Sequence, residues 1–283
     1  MMKKEKALTV LLFVAVTCFS CSKETITKKA GVNPGNDPNF KIVANTDGIL
    51  KNFSRKVVVF GIDIYAVIGV TDANLLHAAN VMAQYLDNDE DGEVDNKLVL
   101  EKMIENKAFV VMWKKEGDLR NTFPSGRMGQ DLGNDETNPN YISAGKNGRF
   151  DASLEEIWHI ITHSGYSYAY PDVFGEKEGT SISNAMDVAR GGSFKTIPKT
   201  YPANAWYSYD DSTCEYDCQV TEYFYWAMSS ILGAQENRIN EIGHEWKLNT
   251  LQKVKETDKA VYELLTDDTF KLPTNLPDGT YKH

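Results

Sequence analysis

Residues 154–163 read Leu-Glu-Glu-Ile-Trp-His-Ile-Ile-Thr-His. On a helix of about 3.6 residues per turn, Glu155, His159 and His163 recur every four positions and form one polar stripe beside Ile157, Ile160 and Ile161. An imidazole paired with a carboxylate or a second imidazole one turn away can share a metal ion, and a neighbouring carboxylate can then take a proton from water. Two frames are open. In the first, Glu155 and His159 bind and Glu156 is the general base. In the second, His159 and His163 bind, and Ile160 stands where the base belongs. Glu155 and His163 lie about 12 Å apart along the axis, so the frames are nearly exclusive. The third ligand would come from elsewhere, and Glu222 is the best candidate: it is a lone acid in an aromatic, apolar stretch, where a buried carboxylate needs a partner. A purely structural reading stands beside this, because the helix macrodipole favours Glu155 and Glu156 at the start and His163 at the end, and His159 then serves as a core histidine.

A second cluster lies at residues 87–95, Asp-Asn-Asp-Glu-Asp-Gly-Glu-Val-Asp. Asp87, Asp89, Asp91 and Asp95 follow the alternating spacing of a calcium loop. Gly92 permits the sharp turn at the sixth position, and Glu93 takes the seventh. Leu98 occupies the twelfth position, where an EF-hand places a bidentate Glu, so coordination is weaker or is completed by Glu101 or water. The expectation is an EF-hand-like calcium loop over residues 87–98 that staples the fold.

The helix motif also carries a resemblance. Zincins use His-Glu-x-x-His, and Glu155-Glu156-Ile157-Trp158-His159 keeps that register with Glu155 in the first His position. With strands before the motif helix and Glu222 in a helical region after it, about half of the chain resembles gluzincin-type metallopeptidases. That resemblance implies a zincin-like fold, a zinc ion, Glu156 as catalytic base and a peptide or protein substrate. Another metal chemistry has a weaker claim. Glu156-x-x-His159 and Glu241-x-x-His244 are elements of the kind that build di-iron sites in four-helix bundles, but a β-rich first half and Gly243 oppose a bundle.

The elements that must position these groups follow from periodicity. Residues 57–70 are rich in Val, Ile, Phe and Tyr and read as one long or two short buried strands. Thr71 and Asp72 cap a helix carrying Leu75, Leu76, Ala79, Met82, Tyr85 and Leu86. A second helix follows the acidic loop, and residues 108–113 form a second strand, giving a β-α-α-β unit. Residues 114–149, dominated by Gly, Asn, Asp, Pro and Lys, read as an ordered or functional loop. Ser153 with Glu156 forms a capping box that starts the motif helix over residues 153–164, and Gly165 stops it. Helices are expected at residues 219–232, 236–249 and 251–265, and one ending on Gly191. The fold class is therefore α+β: a small β-sheet with helices in the N-terminal half and a mostly helical C-terminal half, in a single domain over residues 40–283. His77 is expected to be structural. The aromatic run over residues 205–211 fits a core layer better than a substrate groove.

Composition bounds the partners. With Lys+Arg 30 against Asp+Glu 40, the net charge of −10 argues against nucleic acid or anionic lipid as a general partner. Lys3, Lys4 and Lys6 precede an apolar stretch over residues 7–17 that is too short to span a bilayer comfortably, and the pattern reads as an export signal. Its end, Cys18-Phe19-Ser20-Cys21, resembles the lipobox of bacterial lipoproteins. That resemblance implies a chain anchored to a lipid bilayer through acylated Cys21, with Cys18 as the alternative, and facing the periplasm or the cell surface. A soluble exported protein is the other reading. Residues 22–39 are polar and read as a tether. In an exported chain, Cys214 and Cys218 are expected to form a disulfide, although a metal clip with histidines stays open. Two functions are carried forward: a zinc-dependent metallopeptidase, or a non-catalytic, calcium-stabilised surface lipoprotein that acts as a binding module.

Overall fold

The computed structural model describes residues 40–120 and 122–283, so the leader, Cys21 and the tether lie outside the described residues. Five strands, β1 (Val43–Ala44), β2 (Arg55–Val59), β3 (Ile62–Ala66), β4 (Phe109–Trp113) and β5 (Gly129–Gly133), form one sheet in sequence order. The first three pair antiparallel and the last two join in parallel. Residues 57–70 thus contribute to two short strands, divided at Phe60 and Gly61. Both of these have positive φ (47° and 93°), as a two-residue hairpin turn of the mirror-image type requires.

Parallel pairing of β3 with β4 demands a crossover. Helix α1 (Asp72–Leu86), the acidic loop and helix α2 (Lys97–Glu105) supply it, so the expected β-α-α-β unit is present. Strand β5 lies inside the stretch read as loop. Its sequence, Gly-Gln-Asp-Leu-Gly, has one apolar side chain and no alternation to read, and it is held by pairing with the apolar β4. The molecule is α+β as expected, with the five strands confined to residues 43–133 and helices dominating the rest.

Helix α3 (Ser153–Ile161) buries Leu154, Ile157, Trp158, Ile160 and Ile161. Its start corrects the expected capping box. Ala152 is the cap, and the Ser153 hydroxyl is buried without a hydrogen-bond partner. Asp151 does the capping work from one residue earlier: its Oδ1 accepts the backbone N–H groups of Ser153 (3.3 Å) and Asn138 (2.9 Å), while Oδ2 meets His77 Nε2 at 2.6 Å. His77 is therefore structural. Gly165 does not stop the helix either. The chain runs through a π turn (Thr162–Tyr166) into α4 (Ser167–Ala169), and a Cβ on Gly165 would come within 2.7 Å of Val99 on α2. Close helix approach, rather than termination, is what that glycine permits.

Helix α5 (Ser181–Arg190) ends on Gly191 in the left-handed region, as expected. Helix α6 (Tyr216–Ile231) starts inside the bonded pair Cys214–Cys218. Two expected helices are corrected. Residues 236–249 hold only the short α7 (Ile239–Ile242). Residues 251–265 divide into α8 (Leu251–Thr257) and α9 (Lys259–Leu265) at Asp258. The Asp258 carboxylate is claimed by three donors, the backbone N–H of Val261 (3.3 Å), Trp206 Nε1 (2.8 Å) and the Tyr223 hydroxyl (2.7 Å), which fixes a helix start at that point. No helix among the described residues is long and apolar enough to cross a membrane.

Removing one partner of a buried hydrogen bond leaves the other unsatisfied, at a cost of about 1–3 kcal/mol. Asp151→Ala should therefore lower the unfolding free energy by about that amount, read as a lower urea midpoint with unchanged m. A loss within error would mean that His77 and the α3 start are held by other contacts.

Candidate metal centre and cleft

Helices α3 and α6 face each other, and the polar stripe of one meets the lone acid of the other. One ligand atom from each of Glu155, His159 and Glu222 lies within 4.8 Å of the other two. His159 is buried, and its Nε2 makes no hydrogen bond although a Glu222 oxygen stands 3.5 Å away. On the other side of the ring, Nδ1 faces Glu156 Oε2 at 3.5 Å, and Gln130 on β5 donates to the same oxygen at 2.5 Å. The flanking carboxylates have polar neighbours of their own: Tyr225 lies beside Glu155, and Tyr209 beside Glu222.

The group fits a divalent ion. A buried imidazole nitrogen that makes no hydrogen bond and faces a Glu222 oxygen at 3.5 Å, with Glu155 in the same convergent group, offers nitrogen and oxygen donors of the kind zinc accepts. Each donor side chain also has an outer polar neighbour of the kind that orients a ligand: Tyr225 for Glu155, Glu156 for His159 and Tyr209 for Glu222. These residues could hold a metal ion. Without a cation, the charges oppose one another. Burial, together with the neighbouring Glu156 and Glu222, pushes the Glu155 carboxyl up to about 8. Burial also raises Glu156, against the opposing pull of His159. For His159, burial disfavours the imidazolium, but Glu222 and Glu156 outweigh it and hold the ring well above its usual range.

His163 is not a member of this group. The π turn carries it to the rim, where Nδ1 meets Glu176 Oε2 at 2.7 Å and Glu176 Oε1 accepts the Thr221 hydroxyl at 2.6 Å. Hydrogen bonding to Glu176 raises His163 above the ordinary imidazole range. His159, His163, Glu176, Thr221, Glu222 and Gln130 share the wall of one cleft of about 240 Å³. The first frame, with Glu155, His159 and Glu222, is the one whose atoms converge. Glu241 and His244 are absent from the convergent group.

The acidic loop brings together Asp87, Asp89 and Asp95, again within 4.8 Å. Asp91 and Glu93 lie outside that group: Asp91 Oδ1 accepts the Glu93 N–H at 2.8 Å, and the Glu93 carboxylate meets Lys97 at 3.2 Å. Gly92 has φ of 87° and donates its N–H to Asp87 at 2.8 Å. The C-terminal segment closes over the loop. The Tyr281 hydroxyl donates to Asp87, Asn88 Oδ1 accepts the N–H groups of Thr274 and Asn275 at 2.8 Å, and Gln84 Oε1 accepts that of Gly279 at 2.8 Å.

Sequence reasoning missed Gln130, Glu176, Thr221 and Tyr225. Gln130 sits in the unread strand β5, and the other three are ordinary helix and loop residues whose partners are remote in sequence. Tyr209 carried a faint signal as part of the aromatic run, of which Tyr207 is core and Tyr209 turns to Glu222. No protein-family model, curated protein or solved structure matches this chain.

The raised Glu155 and His159 set a pH dependence. Below about 8 the Glu155 carboxyl holds a proton, His159 retains its own well above the usual imidazole range, and both must leave before an ion binds. Metal affinity should therefore rise with pH, by about tenfold per unit for each proton displaced, and should fall as the solution is acidified. Calorimetry at pH 7 in buffers of different ionisation enthalpy should report proton release. Metal binding with none would sink this linkage.

Proposed function

We propose that the chain is a zinc-dependent hydrolase of peptide bonds, with Glu155, His159 and Glu222 holding the metal at the cleft between α3 and α6. The observation that carries this reading is the convergence of Glu155, His159 and Glu222: His159 is buried, its Nε2 makes no hydrogen bond although a Glu222 oxygen stands 3.5 Å away, and His159 and Glu222 line an open cleft. Zinc held there would polarise a substrate carbonyl and make water acidic enough to attack near neutral pH. The chain's own groups would do the rest. Glu156, raised by burial, is suited to take a proton from the attacking water and return it to the leaving amine. Gln130 fixes the Glu156 carboxylate through Oε2, and that same oxygen steadies His159 through Nδ1, so the base also orients a ligand. At the rim, the His163–Glu176 pair offers a charged donor to a substrate oxygen.

Metal analysis and mutation separate these roles. Purified protein should carry about one zinc per chain, and His159→Ala should lose it. Glu156→Gln keeps an acceptor for Nδ1 and should retain the metal, while cleavage of a mixed quenched-fluorescent peptide pool falls by about 100-fold or more. Zinc that is absent above trace, or unchanged by His159→Ala, would leave only the non-catalytic surface lipoprotein.

The convergent Asp87, Asp89 and Asp95 support calcium as the ion of the acidic loop, since hard cations prefer oxygen donors. Its role is to fasten the C-terminal segment, which hydrogen-bonds Gln84, Asp87 and Asn88. Calcium at 100 times its dissociation constant should add about 2.7 kcal/mol to stability. The check is the thermal midpoint with and without a calcium chelator, and Asp89→Asn should blunt the difference. A midpoint indifferent to calcium would remove the ion from the loop.

A further inference from the structure

Helix α6 presents more than Glu222 to the cleft. Cys218 lies four residues before Glu222 on the same helix face, and it lines the cleft together with His159, His163 and Thr221. Residues four apart on a helix hold their Cβ atoms about 5–6 Å from one another. In the oxidised chain Cys218 is bonded to the buried Cys214 and its sulfur has no charge to offer. The cleft-lining Cys218 is therefore a masked soft ligand, one helical turn from a carboxylate of the candidate metal centre.

We propose that Cys218 is a redox-gated fourth metal ligand, silent as the disulfide and able to close the centre when the bond to Cys214 is reduced. The proposal rests on the metal site of the preceding section. A dithiol reductant supplies two electrons and two protons, the sulfur–sulfur bond breaks, Cys214 and Cys218 become thiols, and the reductant leaves as its own disulfide. Cys218 then yields its proton to solvent as its sulfur binds the ion. Three protein ligands with an open position suit catalysis, whereas four protein ligands including a thiolate make a closed site of the structural kind. Oxidation would keep the enzyme open, in keeping with a close cysteine pair in an oxidising compartment, and reduction would shut it.

The two arms of the site are unequal in a way that supports this. Glu155, His159 and Glu222 each have an outer polar neighbour, so the three-ligand set stands without help from sulfur. The backbone around Cys214 has its own support, because Gln219 Nε2 donates to the Cys214 carbonyl at 2.9 Å and Gln219 Oε1 accepts from the buried Arg190 at 2.5 Å. The turn that carries Cys218 does not depend on the sulfur–sulfur bond alone.

Cobalt(II) is the probe, loaded into the whole protein before and after reduction with a phosphine that leaves no thiol of its own in solution. Oxidised protein should bind cobalt without a thiolate-to-cobalt charge-transfer band. Reduction should introduce that near-ultraviolet band and tighten cobalt binding at least tenfold in competition with a chelator. Cys214→Ser should show the band with no reductant, and Cys218→Ser should never show it. Cobalt bound by reduced wild type and by Cys214→Ser without the band would overturn the proposal while leaving the metal centre standing. Failure of oxidised protein to bind cobalt, or binding indifferent to His159→Ala, would instead overturn the metal centre itself. Circular dichroism of the reduced protein and of both variants confirms that the fold persists.

Discussion

Three carboxylates and one imidazole are gathered where α3 meets α6, in surroundings that withhold most of the water charges need. Burial of this kind is costly unless every charge has a partner. Here the partners are distributed one by one: Tyr225 to Glu155, Tyr209 to Glu222, Gln130 and His159 to Glu156. What stays unsatisfied is the hydrogen-bonding capacity of His159 Nε2, and burial, together with repulsion from Glu156 and Glu222, raises Glu155 to about 8. A cation at that point converts repulsion into coordination. The apolar faces of α3 and α6 must be buried deeply enough to hold the acids together until it does. Trp158 and Phe224 meet there edge to face at 5.5 Å, and Ile157, Ile160 and Ile161 are fully covered.

The fold was legible where side chains declare a period. The run from β2 to β4 shows β-branched strands, capped helices and an acidic turn, and each element follows from its own residues. Legibility failed where a remote partner decides. Strand β5 has no pattern because parallel pairing with β4 and the approach of α3 supply what its side chains do not. Ser153 and Glu156 satisfy the letter of a capping box, but Asp151 is anchored by His77, which is far away in sequence, and accepts the N–H of Ser153 itself. Gly165 looks like a stop and is a contact with α2. Asp258 looks like a surface acid and, bound to Trp206 and Tyr223, divides one amphipathic stretch into two helices.

The candidate centre divides along the same line. Glu155, His159 and Glu222 were readable, two from helical spacing and one because an isolated acid in an apolar helix demands a reason. The choice between frames was not, since spacing alone treats His159–His163 as the better nitrogen pair. The π turn and Glu176 separate the two frames in space: they give His163 a partner at the rim and leave His159 converging with the carboxylates. In the acidic loop, alternation marked five carboxylates as equals. Local contacts separate them, because the Lys97 side chain one turn on pairs with Glu93 and the Glu93 backbone N–H occupies Asp91.

Both centres hang on α1. Asp87 is the residue that ends this helix, accepting the Tyr281 hydroxyl and two loop N–H groups. Two residues earlier, the Tyr85 hydroxyl donates to the Leu154 carbonyl at 2.8 Å, and its ring packs on Trp158 at 5.1 Å. Eight residues before Tyr85, His77 holds the aspartate that begins α3. The face of α1 that carries His77 and Tyr85 therefore sets both the start and the tilt of the helix bearing Glu155 and His159. A backbone hydrogen-bonded along its whole length transmits displacement with little loss, so the position of Asp87 and the orientation of α3 are not independent. The acidic loop is thus connected to the cleft by one rigid element and two buried hydrogen bonds, with no ligand in common.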